Sequence, residues 1–406
     1  MNKPRRILIF SLMYSPFMSG GELAPDEITR RISKEDIHFD LIALRADRRL
    51  SEVEQVGNVT LHRIGPAKEK ITFLELGRFP WYLIKVLYIP LAVLKARQLM
   101  RKRTYDAYWC IMTNMGFVPV ILRMFFGDKT PFVLTLQDGD TREHIVERKR
   151  IKFFGRLFRH IFTDAACVQA ISRHLAVFAK DMGYPGEPSI IPNGVAVAEY
   201  INAPSDAIVG VTQELEKKKG EIFLVTTSRL VEKNGLGDVV AALPLLDVSI
   251  RFVVLGDGPL LHELQKQAER LGVRDRVVFL GNVSRELVPA YLHASDIFIR
   301  PSLSEGLGSS FLEAMAAGLP VIATPVGGIP DFLFDIEEYD EKATGVFCQP
   351  HNPESIAFAV KRLIKDVGMR QKISQNGRAL VLEKYDWDLV ARSMKEVFEQ
   401  VSVAEK

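Results

Sequence analysis

The residues best suited to chemistry occur in one glycine-rich stretch in the second half of the sequence. Residues 300–320 read RPSLSEGLGSSFLEAMAAGLP. This pattern predicts a strand that ends near Arg300, a loop through Gly308, and a helix that begins at Ser309 or Ser310. Backbone N–H groups at the start of such a helix have no partner within it, and the helix dipole adds positive potential. The stretch therefore predicts an anion site of the kind that binds phosphate or diphosphate.

Two glutamates accompany this predicted anion site. Glu305 lies on the loop, and Glu313 lies in the first turn of the helix. A carboxylate is a good acceptor for two neighbouring hydroxyls, such as those of ribose or a hexose. Ser310 and Glu313 also have the spacing of a capping box, in which Glu313 would only stabilise the helix start. Both interpretations of Glu313 stay open at this point.

A second cluster places two cations after a predicted strand. The apolar, β-branched run Ile222–Thr227 predicts a buried strand, and the residues SRLVEKNG follow it directly. Arg229 and Lys233 in that segment are suited to neutralise the charge that grows on a departing diphosphate. The alternative is a solvated loop in which the two charges have no joint role.

Gly256 and Gly258 form a third, weaker signal. They lie in the sequence LGDGP, after a predicted strand at 251–255. A tight glycine turn there lets a flat base approach the backbone. The motif is not the dinucleotide fingerprint G-x-G-x-x-G, and none follows the first predicted strand either. This argues against a dehydrogenase-type nucleotide binder, which NADH binding would reveal.

The first half of the chain offers smaller groups after its predicted strands. Gly20 and Gly21 form a flexible loop after the first strand. Asp138 and Asp140 follow the predicted strand Phe132–Leu136 and are expected to face an acceptor; an aspartate-rich turn is the alternative. The eight histidines are dispersed, and no metal-ligand spacing is present, so we expect no metal site.

Strands and helices must bring these residues together. Apolar runs of strand length alternate with helical spacing along the second half and, less cleanly, along the first. That alternation predicts right-handed βαβ crossovers and parallel sheets covered on both faces. We expect an α/β fold of two doubly wound, Rossmann-like domains. Such sheets bind ligands at the carboxyl ends of their strands, so the cleft between the domains is the expected site.

Charge is distributed unevenly along the 406 residues. Residues 1–200 contain 30 Lys and Arg against 21 Asp and Glu, whereas the remainder contains 23 against 29. A basic half suggests an anionic partner, with ordinary scatter as the alternative. The pI of about 8.6 is too modest for a dedicated nucleic-acid-binding domain.

Two basic and apolar segments, residues 82–103 and 147–162, allow two interpretations. Either segment can lie as a helix on an anionic membrane, or pack its apolar side on a sheet while its cations reach solvent. Packing is favoured, because doubly wound domains need such helices. No segment has the roughly 20 apolar residues of a membrane span. Three widely spaced cysteines form no disulfide framework and fit a reducing cytosol.

The combined motifs resemble the retaining glycosyltransferases of the GT-B fold, family 4 type, also called glycosyl transferases group 1. Glu305 and Glu313 match the family's E-x7-E motif within its frame of neighbouring residues. Three further segments are similar to family segments: GGIP at 327–330, IPNGV at 191–195 and YDW at 385–387.

The resemblance implies roles for individual residues. Arg229 and Lys233 would bind the donor diphosphate, Glu313 the ribose of the donor and Glu305 the hydroxyls of the transferred sugar. Backbone contacts to the donor would come from the two glycine-rich loops and the start of the helix, at Gly20, Gly21, Leu307, Gly308 and Ser309. The donor base would be bordered by Gly256, Gly258 and Val283.

Two departures from the family pattern alter these expectations. The family's lysine directly precedes the glycine, where this chain has Asn234, so Lys233 stands one residue early. A first-domain strand that often ends in histidine here reads Gln137-Asp138, which makes Asp138 the expected acceptor-facing group.

The implied domains are an acceptor domain at 1–200, a linker at 201–221 and a donor domain at 222–385. A last helix at about 386–406 would return to the first domain. We expect no metal and no cofactor beyond the nucleotide-sugar donor substrate. The acceptor domain would contact a glycan or a lipid-linked acceptor, and its basic surface an anionic membrane, but no nucleic acid.

The resulting hypothesis is a cytoplasmic enzyme, at the inner face of the membrane. It would move a hexose from a nucleotide-diphosphate sugar to an acceptor hydroxyl with retention, in cell-envelope polysaccharide or glycolipid synthesis. Two alternatives stay open. One is a non-catalytic nucleotide- or membrane-binding protein, and the other is a sugar-phosphate synthase or phosphorylase with a soluble acceptor.

Overall fold

A computed structural model describes residues 3–16, 20–65, 81–139 and 155–403. The chain divides into two units, one comprising 1–193 with 387–406 and the other 194–386. Each unit has one sheet and helices that cover it.

The first unit is built on an eight-stranded sheet. Its strands are β1 (Arg5–Phe10), β2 (Ile37–Leu44), β3 (Val53–Val56), β4 (Val59–Ile64), β5 (Ala107–Ile111), β6 (Phe132–Leu136), β7 (Cys167–Ala170) and β8 (Ser189–Ile190). They lie in the order β3-β4-β2-β1-β5-β6-β7-β8, and the described pairs are parallel apart from β3 with β4. Its helices are α1 (Gly20–Thr29), α2 (Trp81–Met100), α3 (Phe117–Phe126), α4 (Gly155–Thr163) and α5 (Arg173–Asp181).

The second unit is built on a six-stranded parallel sheet. Its strands are β9 (Ile222–Thr227), β10 (Ile250–Leu255), β11 (Val277–Gly281), β12 (Ile297–Arg300), β13 (Val321–Ala323) and β14 (Val346–Phe347), in the order β11-β10-β9-β12-β13-β14. Its helices are α6 (Val197–Ile201), α7 (Ser205–Glu214), α8 (Leu236–Ala242), α9 (Leu261–Arg270), α10 (Val288–His293), α11 (Ser309–Ala316), α12 (Ile336–Tyr339), α13 (Pro353–Lys365) and α14 (Val367–Lys384).

The last helix, α15 (Trp387–Val403), returns to the first unit. Its Phe398 ring lies 5.0 Å from Trp109 and 6.0 Å from Phe39, measured between ring centroids. These rings are buried beneath the first sheet's strands and anchor the helix there.

Burial explains why the central strands are so apolar. Both faces of a doubly wound sheet are covered, so its strands are continuous apolar runs with no alternation. Ile7–Phe10 in β1 and Phe223–Val225 in β9 have no exposed surface. The predicted α/β class with two doubly wound, Rossmann-like domains is confirmed.

The boundary between the units lies earlier than the sequence suggested. It falls between Asn193 and Gly194, whereas the sequence predicts a first domain that extends to residue 200. Part of the expected linker, 201–221, is the helix α7, which packs against α10 of the second unit. This surface helix, SDAIVGVTQE, has one buried valine, Val211, and the lysines of the segment, Lys217–Lys219, follow it.

Candidate functional site

Three neighbouring strands of the second sheet end beside one another. The chain order reverses between β9 and β12, and open α/β sheets bind ligands at such a switch point. The Leu303 N–H donates to the Lys233 carbonyl at 2.7 Å and so joins the loops after β12 and β9. The Leu230 N–H donates to the Asp257 carbonyl at 3.0 Å and joins the loops after β9 and β10. The predicted donor-binding segments of this unit therefore meet at one edge of one sheet.

The loop after β9 presents its arginine to solvent. Arg229 is exposed, and Lys233 is half-buried in a short 3-10 turn, Glu232–Asn234. Asn234 is buried, and its Nδ2 donates to the Arg229 carbonyl at 2.7 Å. Gly235 has a φ of 66°, and a side chain there would collide with the Pro301 carbonyl. Asn234 thus shapes the loop at the position where the resemblance implies a lysine.

The glycine turn after β10 fits closely against the loop after β9. Gly256 has a φ of 138°, and a Cβ atom there would collide with the Ser228 carbonyl. A Cβ atom on Gly258 would lie 2.5 Å from the Leu230 carbonyl oxygen. Both glycines are therefore required by backbone packing, whatever else they contact.

A pocket of about 200 Å³ lies between the loops after β9, β10 and β11. Its lining includes Arg229, Gly256 and Val283, three of the residues predicted to border a donor. Thr227 and Ser228 also belong to this lining, and their hydroxyl oxygens are buried without a hydrogen-bond partner among the described residues. Buried hydroxyls normally have partners, so these two are suited to hydrogen-bond a ligand.

Helix α11 begins without a side-chain cap. Gly308, with a φ of 92°, occupies the cap position, and Ser309 starts the helix. The Ser310 hydroxyl accepts a hydrogen bond from Arg300 at 2.8 Å, so the serine that a capping box requires is engaged elsewhere. The capping-box interpretation of Glu313 is therefore wrong, and the helix start is suited to an anion.

Glu305 is held by a buried arginine, Arg300, to which the sequence motifs assign no role. The Arg300 Nη2 donates to Glu305 Oε2 at 2.7 Å, and the Gly306 N–H donates to Oε1 at 3.2 Å. Burial lowers the pKa of Arg300, while the charge of Glu305 raises it. The backbone of Glu305 is held as well, because the Gly328 N–H donates to the Glu305 carbonyl at 3.2 Å.

Glu313 lies beside Tyr200, and the charges of Arg285 and Arg300 also act on it. Burial raises the pKa of Glu313 above its ordinary value, and a hydrogen bond from the Tyr200 hydroxyl offsets part of that shift. Tyr200 itself lies on α6, which packs against α11. Leu307, just before the helix, is buried and fills the space beneath the loop.

The first unit gathers its predicted residues at the corresponding edge of its own sheet. The chain order reverses between β1 and β5; α1 begins at Gly20, and the loop after β5 contains Thr113. The Thr113 hydroxyl donates to Asp138 Oδ2 at 2.6 Å. A Cβ atom on Gly21 would lie 3.2 Å from Gln137 Oε1. Gly20 and Gly21, predicted as a loop, are instead the first residues of α1, and the buried Gln137 lies beside Gly21.

Two predicted features receive no further support from the geometry. Asp140 lies outside the described residues. No group of three or more His, Cys, Asp or Glu side chains in the described part of the chain is arranged around a metal, and metal independence stays a prediction.

A larger pocket, of about 510 Å³, lies at the opposite edge of the second sheet. Its lining includes Asp296 and Pro320, which precede β12 and β13. Ligands of open parallel sheets bind at the carboxyl edge of the strands. The smaller pocket, beside Arg229, is the one at that edge.

Comparison with known proteins identifies relatives of the second unit. The model of the family glycosyl transferases group 1 matches residues 211–380. An uncharacterized glycosyltransferase of Methanocaldococcus jannaschii is 31% identical over 212 residues, which are 52% of this chain and 53% of that protein. A GDP-mannose-dependent alpha-(1-6)-phosphatidylinositol monomannoside mannosyltransferase of Mycobacterium tuberculosis is 34% identical over 230 residues, which are 53% of this chain and 57% of that protein. The chain thus matches little more than half the length of either relative.

A solved structure extends the likeness of fold to the whole chain. Sucrose-phosphate synthase from Thermosynechococcus elongatus superposes with a TM-score of 0.82, over 99% of this chain and 100% of that one. The two sequences are 20% identical, so the likeness is one of fold. This likeness confirms the GT-B fold of two Rossmann-like domains that the motifs implied.

Proposed function

Residues 211–380 make this chain a member of the glycosyl transferases group 1 family, and from that premise we propose that it transfers a hexose from a nucleotide-diphosphate sugar to a hydroxyl of an acceptor. One observation carries the proposal. The exposed Arg229 and the uncapped start of α11 follow β9 and β12, the two strands on either side of the switch point.

The donor is proposed to bind at the carboxyl edge of the second sheet. Its base enters the pocket bordered by Gly256 and Val283, where the hydroxyls of Thr227 and Ser228 offer hydrogen bonds. Its diphosphate lies between Arg229 and the backbone N–H groups that begin α11, because both favour negative charge.

The remaining polar groups are assigned to the two sugars of the donor. Glu313 accepts hydrogen bonds from the ribose hydroxyls, and Glu305 from hydroxyls of the transferred hexose. Arg300 keeps the Glu305 carboxylate in one orientation, which matters because a misplaced contact loses catalytic power.

The proposed reaction exchanges one bond at the anomeric carbon for another. The bond from that carbon to the diphosphate oxygen breaks, and the acceptor oxygen bonds to the same face of the carbon. The acceptor proton passes to the departing diphosphate oxygen, so the products are a glycoside with retained configuration and a nucleoside diphosphate. Arg229 and Lys233 stabilise the charge that develops on the diphosphate in the transition state, and no metal is invoked.

The acceptor is proposed to bind to the first unit near Asp138. That carboxylate lies at the end of β6 and is oriented by the Thr113 hydroxyl. The mannosyltransferase relative is named for a phosphatidylinositol acceptor, which supports a glycan or lipid-linked hydroxyl as the acceptor of this chain too. A role in envelope polysaccharide or glycolipid synthesis and a cytoplasmic location complete the proposal.

A turnover assay tests the proposed reaction. The protein is incubated with a panel of nucleotide-sugars, with and without a membrane lipid extract, and the released nucleoside diphosphate is measured. We expect one donor to be consumed, faster when the extract supplies an acceptor, and a product whose anomeric configuration by NMR matches the donor. Release of no nucleoside diphosphate from any donor would contradict the proposal.

A further inference from the structure

Helix α2 has an apolar surface on two sides. One side packs on the first sheet through buried residues that include Tyr88, Ala92 and Ala96. The other side presents Leu83 and Leu94, which are 51% and 60% exposed. The packing interpretation of residues 82–103 therefore explains only half of this helix. A helix that is apolar all round needs a second partner for its outer side.

The exposed side of α2 is one continuous stripe. Leu83, Leu87 and Leu94 follow the spacing i, i+4, i+11, which places them on one face of a helix. Arg97 and Arg101 continue the same face toward the end of the helix. The stripe therefore changes from apolar to cationic along its length.

The end of α3 extends this stripe sideways. Met124, Phe125 and Phe126 are 59%, 71% and 45% exposed. The Arg97 guanidinium lies 3.9 Å from the centroid of the Phe126 ring, so the two helices meet at this point. We call Leu83, Leu87, Leu94, Met124, Phe125 and Phe126 together the α2–α3 surface.

The charged side chains on α2 and α3 themselves all have one sign. Neither α2 nor α3 contains an aspartate or glutamate. Cations border the surface on both helices and on the turns that follow them, namely Lys95, Arg97, Arg101, Lys102, Arg123 and Lys129. Asp128 follows α3, but its carboxylate accepts a hydrogen bond from the buried Tyr108 at 2.7 Å.

We propose that the α2–α3 surface binds an anionic lipid bilayer. Exposed leucine and phenylalanine enter the boundary between headgroups and acyl chains, while the surrounding cations pair with anionic headgroups. A second copy of this chain fits poorly, because a shared contact would bring cations against cations. No helix in the described part of the chain is long and apolar enough to cross a membrane, so the binding proposed is interfacial.

This proposal accords with a lipid-linked acceptor but does not rest on it. Vesicle binding requires neither donor nor turnover. If the protein binds vesicles but no nucleotide, this inference stands and the proposed function fails. If it binds a nucleotide but no vesicles, the proposed function stands and this inference fails.

Vesicle sedimentation of the full chain provides the test. We expect at least about tenfold tighter binding to vesicles of phosphatidylcholine with phosphatidylglycerol than to phosphatidylcholine alone. Binding should weaken when salt rises from about 0.1 to 1 M, which shortens the Debye length from about 10 to 3 Å. Leu94→Glu combined with Phe125→Glu should weaken binding by about tenfold or more. Both side chains are exposed, so the fold should tolerate the change.

Two exposed apolar residues of the second unit give a matched control. Val248 and Phe358 are 81% and 64% exposed, and Val248→Glu with Phe358→Glu adds the same charge. The control variant should bind vesicles like the wild type. Equal binding to both vesicle types, or equal loss in both double variants, would overturn the proposal. A dimer that dissociates in Leu94→Glu/Phe125→Glu would overturn it in favour of a second copy.

Discussion

Arg300 and Glu305 form an ion pair at the carboxyl edge of the second sheet, where Nη2 and Oε2 are 2.7 Å apart. The arginine is nearly inaccessible, and its guanidinium also donates to the hydroxyls of Ser302 and Ser310. It therefore joins the end of β12, the glycine loop and the start of α11. A carboxylate held in this way keeps its orientation before a sugar arrives.

Replacing Arg300 tests whether this orientation matters for catalysis. Arg300→Lys keeps the charge but loses the planar fork, so Glu305 should shift. We expect kcat to fall by roughly 10²-fold with little change in donor affinity. The measurements are kcat, KM and donor binding by calorimetry. Arg270→Lys, an exposed change in α9, should alter none of them. An equal loss of kcat and binding would indicate a purely structural role.

Arg229 should affect turnover more than the fold, because its side chain is exposed. Arg229→Ala should lower kcat by about 10²-fold or more, since it removes a cation from the departing diphosphate. Arg270→Ala is the control, with the same loss of an exposed arginine. Turnover and melting temperature are measured for both variants. Unchanged turnover in Arg229→Ala would remove this residue from the site.

The affinity for a nucleoside diphosphate should depend on pH through Glu313. Burial raises the pKa of this carboxyl above 4.5, and the ribose is held better by the carboxylate than by the neutral acid. Affinity should therefore fall as the pH is lowered through a value above 4.5. Glu313→Gln should lack this step while retaining the titration of the ligand itself. Identical pH profiles for both proteins would contradict the assignment.

Asp40 should contribute to the acid stability of the first unit. Burial raises its pKa, but hydrogen bonds from His62 and Tyr105 and the charge of Arg103 more than offset this, so the pKa lies below 3.8. Its stabilisation is thus present above about pH 4 and is lost as the pH falls through the lower, folded value. Asp40→Asn should cost about 3 kcal/mol of unfolding free energy at neutral pH.

A surface pair provides the comparison for Asp40. Lys395 donates to Asp36 at 2.8 Å, and both side chains are at least one-third exposed. Asp36→Asn should cost less than about 1 kcal/mol. Denaturant unfolding at pH 7 and at a pH well below 4 measures both variants. Similar losses in both would show that the Asp40 network is no more stabilising than an exposed ion pair.

The parts of the fold that could be predicted have long apolar strands. Ile222–Thr227 and Phe132–Leu136 were predicted with the bounds that the structure gives. The strands β8 and β14 have two residues each, too few to leave a pattern. β3 was missed for another reason, because its sequence VEQV is an exposed edge without an apolar face.

The contacts that position the glutamates could not be predicted. Tyr200 is far from Glu313 in sequence, and only the packing of α6 on α11 brings them together. Arg300 could have been noticed, since an arginine at the end of the apolar run IFIR must be paired if it is buried. The side of α2 that faces the sheet was also undetermined, because apolar residues surround the helix.

Binding of nucleoside diphosphates tests the central claim most directly. A thermal-shift panel with UDP, GDP, ADP, TDP and NADH is run on the wild type and on Glu313→Gln. A ligand at a hundred times its Kd stabilises the folded state by about 2.7 kcal/mol, which raises Tm by several degrees. We predict that one diphosphate raises the Tm of the wild type and that Glu313→Gln loses most of this shift. No shift with any diphosphate, or a shift with NADH alone, would contradict the account.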